Sequence, residues 1–134
     1  MIGRILATVA AAGLLTACDT TPTNPPGVGG DYVTLGQYPK VTATGGLANY
    51  LVVNDVVENR DGDVLSVEVD VRWTGRYTTF FNYRFIFFDE FGRALNPDPA
   101  WQRGRAAPGV VDYLTGNAVS PEAVDWRLEI RAQN

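Results

Sequence analysis

A chain without histidine must do any chemistry with carboxylates, guanidiniums, hydroxyls and, here, a single thiol. Histidine is the commonest general base near neutral pH and the commonest transition-metal ligand, so Ser-His and Cys-His nucleophiles are excluded. A few constellations remain. Asn59-Arg60-Asp61-Gly62-Asp63 gathers carboxylates at the short spacing of a calcium loop. The distal glutamate is missing, since Asp70 and Arg72 stand where it would fall, and the Asp-Gly pair reads as a polar hairpin. Asp89-Glu90 is a carboxylate pair of the kind used in acid–base work. Neighbours at a strand end point to opposite sides, so a solvated turn is the better reading. Arg103-Gly104-Arg105, close to Trp101, has the donors to grip a phosphate or carboxylate. A solvated loop competes with that reading. Arg84 lies inside an aromatic run, where a charge must reach solvent, pair with a carboxylate or stack on a ring. A structural role comes first for it.

The thiol has a specific setting. Met1-Ile2-Gly3-Arg4 carries one positive charge, and Ile5 to Leu15 is an apolar stretch rich in Ala and Leu. Leu15-Thr16-Ala17-Cys18 follows. A short apolar run with small residues before a cut is a signal peptide rather than a membrane span. The last four residues resemble the lipobox of bacterial lipoproteins. That resemblance implies that the Cys18 thiol receives a diacylglyceryl group, that residues 1–17 are removed, and that the new amino group is acylated. Two or more acyl chains anchor a protein firmly, where one is marginal. The alternative is an ordinary secretory signal with an incidental cysteine. Asp19, directly after the cysteine, leans towards retention in the inner membrane.

The 134 residues have room for one domain. The formal charge of −4 and pI of about 4.7 argue against nucleic acid as a partner, since phosphate binding needs a positive face. With one cysteine no disulfide can form within the chain, and stability must come from the core. Residues 18–46 open with a Pro-, Thr- and Gly-rich run that has almost nothing to bury and reads as a tether. Tyr32 to Gly46 offers at most short edge strands that lie against the domain, because its glycines and Pro39 break longer runs.

Residues 47–134 carry the periodic apolar sequence, and this segment is expected to fold alone and without metal or cofactor. The chain is organised around Asn82 to Gly92, where Tyr83, Phe85 and Phe87 alternate with Arg84, Ile86 and Phe88. A second alternation sets Leu65, Val67, Val69, Val71 and Trp73 against Ser66, Glu68, Asp70 and Arg72. Further strands are expected from Tyr50, from Val110 and from Trp126. Ser120-Pro121-Glu122-Ala123 reads as one helical turn. Short strands separated by turns, with no long helical pattern, predict an all-β, immunoglobulin-like antiparallel β-sandwich. The expected core is Leu51, Val53, Leu65, Val67, Val69, Val71, Trp73, Tyr83, Phe85, Phe87, Trp126, Leu128 and Ile130.

Tyr83-Arg84-Phe85 followed by Phe87-Phe88-Asp89 and Gly92 resembles the core motif of YcfL-like proteins, small lipoproteins of bacterial envelopes. Trp101, the strand near Val111, the stretch from Ala118 to Ala123 and the ending Trp126 to Ile130 extend the resemblance over about 47–132. Phe87 stands where members often carry tryptophan. The resemblance implies a lipobox, a compact β-sandwich and an envelope location that leans to the outer membrane. It carries over no catalytic residue. Some members have as genomic neighbour a lipoprotein that activates peptidoglycan synthases. The resulting expectation is a non-enzymatic interaction module, lipid-anchored at Cys18 and facing the periplasm, with an envelope protein as partner. A carboxylate-dependent enzyme of envelope polymers would instead need two acids facing one cleft. A carrier of a small apolar ligand would need a sizeable pocket between the sheets. If Tyr83, Phe85 and Phe87 face the core, Ile86 and Phe88 lie on the opposite side. Ile86, Phe88, Trp101 and Arg103 are therefore the candidate partner surface.

Overall fold

The computed structural model describes residues 32–133. The expected signal peptide, Cys18 and the first part of the expected tether lie outside the described residues. Within them eight strands and one short helix follow in order: β1 (Tyr32–Leu35), β2 (Tyr38–Thr44), α1 (Gly45–Ala48), β3 (Leu51–Asp61), β4 (Val64–Trp73), β5 (Thr79–Phe88), β6 (Gln102–Ala106), β7 (Val111–Asn117) and β8 (Asp125–Ala132). They form a five-stranded sheet, β1-β2-β8-β5-β6, and a three-stranded sheet, β3-β4-β7. Each sheet buries one side of its two-residue alternation against the other, which makes a β-sandwich.

β4 shows the rule most clearly, with burial alternating along its length from Leu65 to Trp73. It joins β3 through Gly62 and Asp63, both with positive φ (59° and 68°). Two successive left-handed residues are what a two-residue hairpin turn matching the strand twist requires. β5 runs through the larger sheet between β8 and β6. Its Phe81, Phe85 and Phe87 are buried among Trp126, Leu128 and Ile130 of β8 and Val67, Val69 and Val71 of β4.

The boundary expected at residue 47 is not where the fold begins. β1 and β2 are two of the five strands, and β2 lies in parallel beside β8 with Val41 opposite Leu128, Thr42 opposite Glu129 and Ala43 opposite Ile130. Val41 and Ala43 are fully buried. The physical reason is the second edge of β8. Left open, it would expose a row of backbone donors and acceptors next to the core. Pro39 does not prevent this, because it precedes the paired stretch that starts at Val41. Among the described strands, β2–β8 is also the one parallel pairing in an otherwise antiparallel sandwich.

Two smaller readings also change. Residues 120–123 form a turn and not a helix, with the Glu122 N–H donating to Ser120 Oγ at 3.2 Å and the Ala123 N–H to the Ser120 carbonyl at 3.3 Å. Arg103-Gly104-Arg105 is not a loop but the middle of β6. Gly104 permits this strand to lie against β5, since a Cβ there would sit 2.3 Å from Cζ of Phe81. Val53 and Tyr83 are partly buried at the margin of the core, and Leu35, Leu47, Phe81, Ala106 and Leu114 join it.

Candidate functional site

The chemistry-bearing side chains gather on the outer face of the five-stranded sheet. Strand register decides this. Because Phe85 pairs with Leu128 on the core side, Arg84 pairs with Glu129, Ile86 with Arg127 and Asn82 with Arg131 on the other. Asn82 is in turn opposite Arg103 and Phe80 opposite Arg105 on β6.

Of the options open to a charge inside an aromatic run, Arg84 takes both the carboxylate and the ring. Its Nε and Nη2 donate to Glu129 Oε2 at 3.4 and 3.3 Å. Its Nη1 donates to Asp98 at 2.8 Å. Its guanidinium lies 4.3 Å from the centre of the Trp101 ring. Arg131 stacks on the same ring at 3.9 Å. Trp101 thus carries two cations on one indole, an arrangement that favours arginine for its flat, weakly hydrated guanidinium. Two further pairs repeat the theme, Arg103 over Phe80 at 4.6 Å and Arg127 over Phe88 at 5.2 Å.

Glu129 is the electrostatic centre of the face. It is 2% exposed, with Arg84 on one side and Arg127 Nε 3.5 Å from its Oε1 on the other. Burial pushes the Arg127 guanidinium below its ordinary value, and Glu129 opposes that shift. Burial also raises the Tyr32 hydroxyl, with the Glu129 charge adding to it. A buried carboxylate holding two guanidiniums is costly to break from one side. Glu129→Gln should therefore cost about 1.5–3 kcal/mol in urea denaturation, the range for hydrogen bonds to charged groups. Asp98→Asn, on a carboxylate 93% exposed, should change stability by less than about 0.5 kcal/mol. Equal effects from the two would show that the Glu129 centre contributes nothing.

The expected partner surface is only partly assembled. Trp101 and Arg103 lie on this face, Arg103 exposed and Trp101 half-buried. Phe88 is half-buried at its far end, under Arg127. Ile86 is 4% exposed and is not available to a partner. Its position between Arg84 and Phe88 on one strand, and opposite Arg127 on the next, accounts for a side chain that belongs to the outer face yet is covered. Cys18 lies outside the described residues. Sequence reasoning missed Glu129, Arg127 and Arg131. Their alternation with Trp126, Leu128 and Ile130 is visible in the sequence, but the pairing with β5 that gives it meaning is not.

The acidic constellations resolve into structure. Asp89 Oδ1 accepts the N–H groups of Phe91 and Arg93, both at 2.9 Å, and so closes the turn after β5. Glu90 and Glu122 line the same open hollow of about 460 Å³. In the β3–β4 hairpin Arg60 donates to the Asp63 carbonyl at 3.4 Å. Among the described residues no group of three or more His, Cys, Asp or Glu side chains is placed to hold a metal ion. Between the sheets, Phe85, Phe87, Leu95, Gly116 and Val119 border a cleft of about 250 Å³. That is below the usual range of ~300–1,000 Å³ for small-molecule sites, while an open hollow of about 370 Å³ between Leu35 and Tyr38 on one sheet and Leu51 and Val53 on the other lies at its lower end.

Comparison with known proteins gives a family and no activity. No curated protein matches the chain. The crystal structure of Campylobacter jejuni cj0090 superposes with a TM-score of 0.61 at 25% identity, covering 70% of this chain and 98% of that one. The crystal structure of a DUF1425 family member from Shewanella sp. pv-4 superposes with a TM-score of 0.56 at 14% identity, covering 77% of this chain and 88% of that one, and shows a shared fold. The model of the family described as "Protein of unknown function (DUF1425)" matches residues 40–132, which take in β2 to β8 almost entire. The chain belongs to the DUF1425 family.

Proposed function

We propose that the protein is a YcfL-like lipoprotein of the bacterial envelope, anchored through Cys18 and acting as a non-enzymatic interaction module for an envelope protein. The observation that carries the binding role is the outer face of the larger sheet, which holds Trp101, stacked by Arg84 and Arg131, together with Arg103 over Phe80 and, at its far end, Phe88 under Arg127. Aromatics and arginines held rigid before a partner arrives lose little entropy on binding, and these residue types dominate the energetics of protein interfaces. Anchoring rests on Leu15-Thr16-Ala17-Cys18, and among the described residues no helix is long and apolar enough to cross a membrane.

The enzyme reading stays second because the candidate carboxylates sit in the open. Glu90 and Glu122 are exposed, and the oxygen of Asp89 that faces the turn is committed to two backbone donors. General acids and bases work in sites that exclude water.

Two measurements test the proposal. Replacing Cys18 with Ser should release the domain from the membrane fraction, and mass spectrometry of the parent should find an acylated amino-terminal cysteine. An intact amino terminus with a free thiol would refute anchoring. Phe88→Ser with Trp101→Ser should remove at least one crosslinked protein partner in intact cells while the dichroism spectrum persists. An unchanged partner set with an intact fold would leave the sheet face without a role.

A further inference from the structure

The two ends of the sandwich differ in charge and in exposed residue type. Topology defines them. β5 runs from Thr79 at one end to Phe88 at the other, and β8 runs the opposite way, so Arg131 lies near the Thr79 end and Asp125 beside Phe88. β1 starts at the Thr79 end, since Tyr32 pairs with Thr44, the residue of β2 that follows the Ala43–Ile130 pair. The chain therefore enters the domain at the Thr79 end.

That end is basic. Arg76, Arg103, Arg105 and Arg131 lie there, and none makes an ion pair among the described residues. Asp112 is the acid close enough for Arg105 to act on, its carboxyl pushed up by burial and drawn back down by the Arg105 charge. Tyr77 is 82% exposed and Tyr50 48% exposed beside them, around an open hollow with Trp73 at its base. The opposite end, around Phe88 and the β3–β4 turn, carries Asp61, Asp63, Glu90, Glu122 and Asp125 against Lys40, Arg60 and Arg93. A chain of net charge −4 has thus concentrated guanidiniums and open tyrosines at the end where its amino-terminal segment arrives.

We propose that this tether end, with Arg76, Arg105, Tyr50 and Tyr77, rests on a membrane surface and binds anionic phospholipid headgroups. The inference builds on the anchor at Cys18. Only the short segment 19–31 separates that cysteine from Tyr32, so the acyl group would deliver this end to the bilayer first. Arginine matches phosphate geometry, and tyrosine suits the boundary between water and hydrocarbon, with an apolar ring and a hydroxyl that stays wet. Each Lys or Arg near an anionic bilayer adds to binding, and the acidic far end is repelled, which sets the orientation. The outer sheet face with Trp101 and Phe88 then stands clear of the lipid for a protein partner.

The test removes the acyl group so that headgroup binding is read alone. Residues 19–134, which keep every described strand, are cosedimented with vesicles of phosphatidylcholine alone and of phosphatidylcholine with one third phosphatidylglycerol. Binding is expected to the second vesicle only and should fade as salt is raised. Arg76→Gln with Arg105→Gln should weaken it by roughly tenfold or more, because two guanidiniums no longer reach the anionic surface. Tyr77→Ser should weaken it without changing the salt dependence, and Glu122→Gln at the far end should leave it unchanged or slightly stronger. Equal binding to both vesicles, or to neither, overturns the proposal. So does a polyglutamate peptide that binds the same arginines while phosphatidylglycerol vesicles do not, an outcome that assigns the end to an acidic protein. Because the assay has no lipid anchor, its failure leaves acylation at Cys18 to be judged by mass spectrometry.

Discussion

A chain that starts at residue 47 should fail to fold, whereas one that starts at residue 31 should fold cooperatively. The shorter chain keeps six strands and most of the apolar periodicity, yet it lacks β1 and β2. Leu35, Val41 and Ala43 then leave the core, and the backbone edge of β8 beside Leu128 and Ile130 opens to water. Burying a Val or Leu side chain is worth roughly 1.5–3 kcal/mol, and each exposed backbone group on a core edge adds to the loss. Against a total stability of about 5–15 kcal/mol for a domain of this kind, that deficit is most or all of what is present. Thr42 adds a tie at the same seam, its Oγ1 donating to the Leu128 carbonyl at 3.3 Å. Proton–nitrogen correlation spectra of the two chains decide the matter. Dispersed peaks from the chain starting at 47 would show that β2 decorates the sheet without supporting it.

Phe85→Ala should cost about 3–5 kcal/mol, the usual range for emptying a buried aromatic site. Phe85 is 6% exposed at the centre of the larger sheet. Its ring meets Tyr83 edge-on at 6.4 Å, lies nearly parallel to Phe87 at 6.3 Å and tilts against Trp126 at 6.0 Å. Across the sandwich it rests on Gly116 of β7, where a Cβ would come within 2.4 Å of Phe85 Cγ. That close approach gives the prediction a second arm. Gly116→Ala alone should destabilise by about 1–3 kcal/mol through overpacking against a ring base that cannot swing away. In the Phe85→Ala background the same methyl group enters a cavity, so the second change should cost little. Residues in direct contact are expected to be non-additive in this way. Urea midpoints for the two single variants and the double variant supply the cycle. Additive losses would mean that the two residues do not touch.

Much of this molecule is legible from residue order alone. The alternation from Leu65 to Trp73 predicts β4 because a strand buried on one face must place every second side chain in the core. Tyr83, Phe85 and Phe87 predict the inward face of β5 by the same rule. The Asp-Gly pair marks the β3–β4 hairpin, since few residues besides glycine tolerate the left-handed backbone of that turn. Absent histidine and a single cysteine narrow the chemistry before any fold is considered. All of these are local matters, decided by a residue and its neighbours within a few positions.

Pairings between distant segments are decided only by the tertiary structure. Tyr32 to Thr44 has weak strand character by itself, and it becomes β1 and β2 because β8, distant in sequence, has an edge to fill. Arg103 to Arg105 looks like a solvated loop until β5 offers it a register and Phe81 a place against Gly104. Ile86 reads as open because the sequence shows no cover for its face, and it is closed by its neighbours in that face. Glu129 gains its meaning from Arg84, which no sequence spacing connects to it. The basic and acidic ends arise in the same way, from residues scattered along the chain and collected by strand direction. The physical reason is common to all of these. Periodicity records which way each side chain points along one strand, whereas contact across strands depends on register, and register is set by the burial of the whole sheet at once.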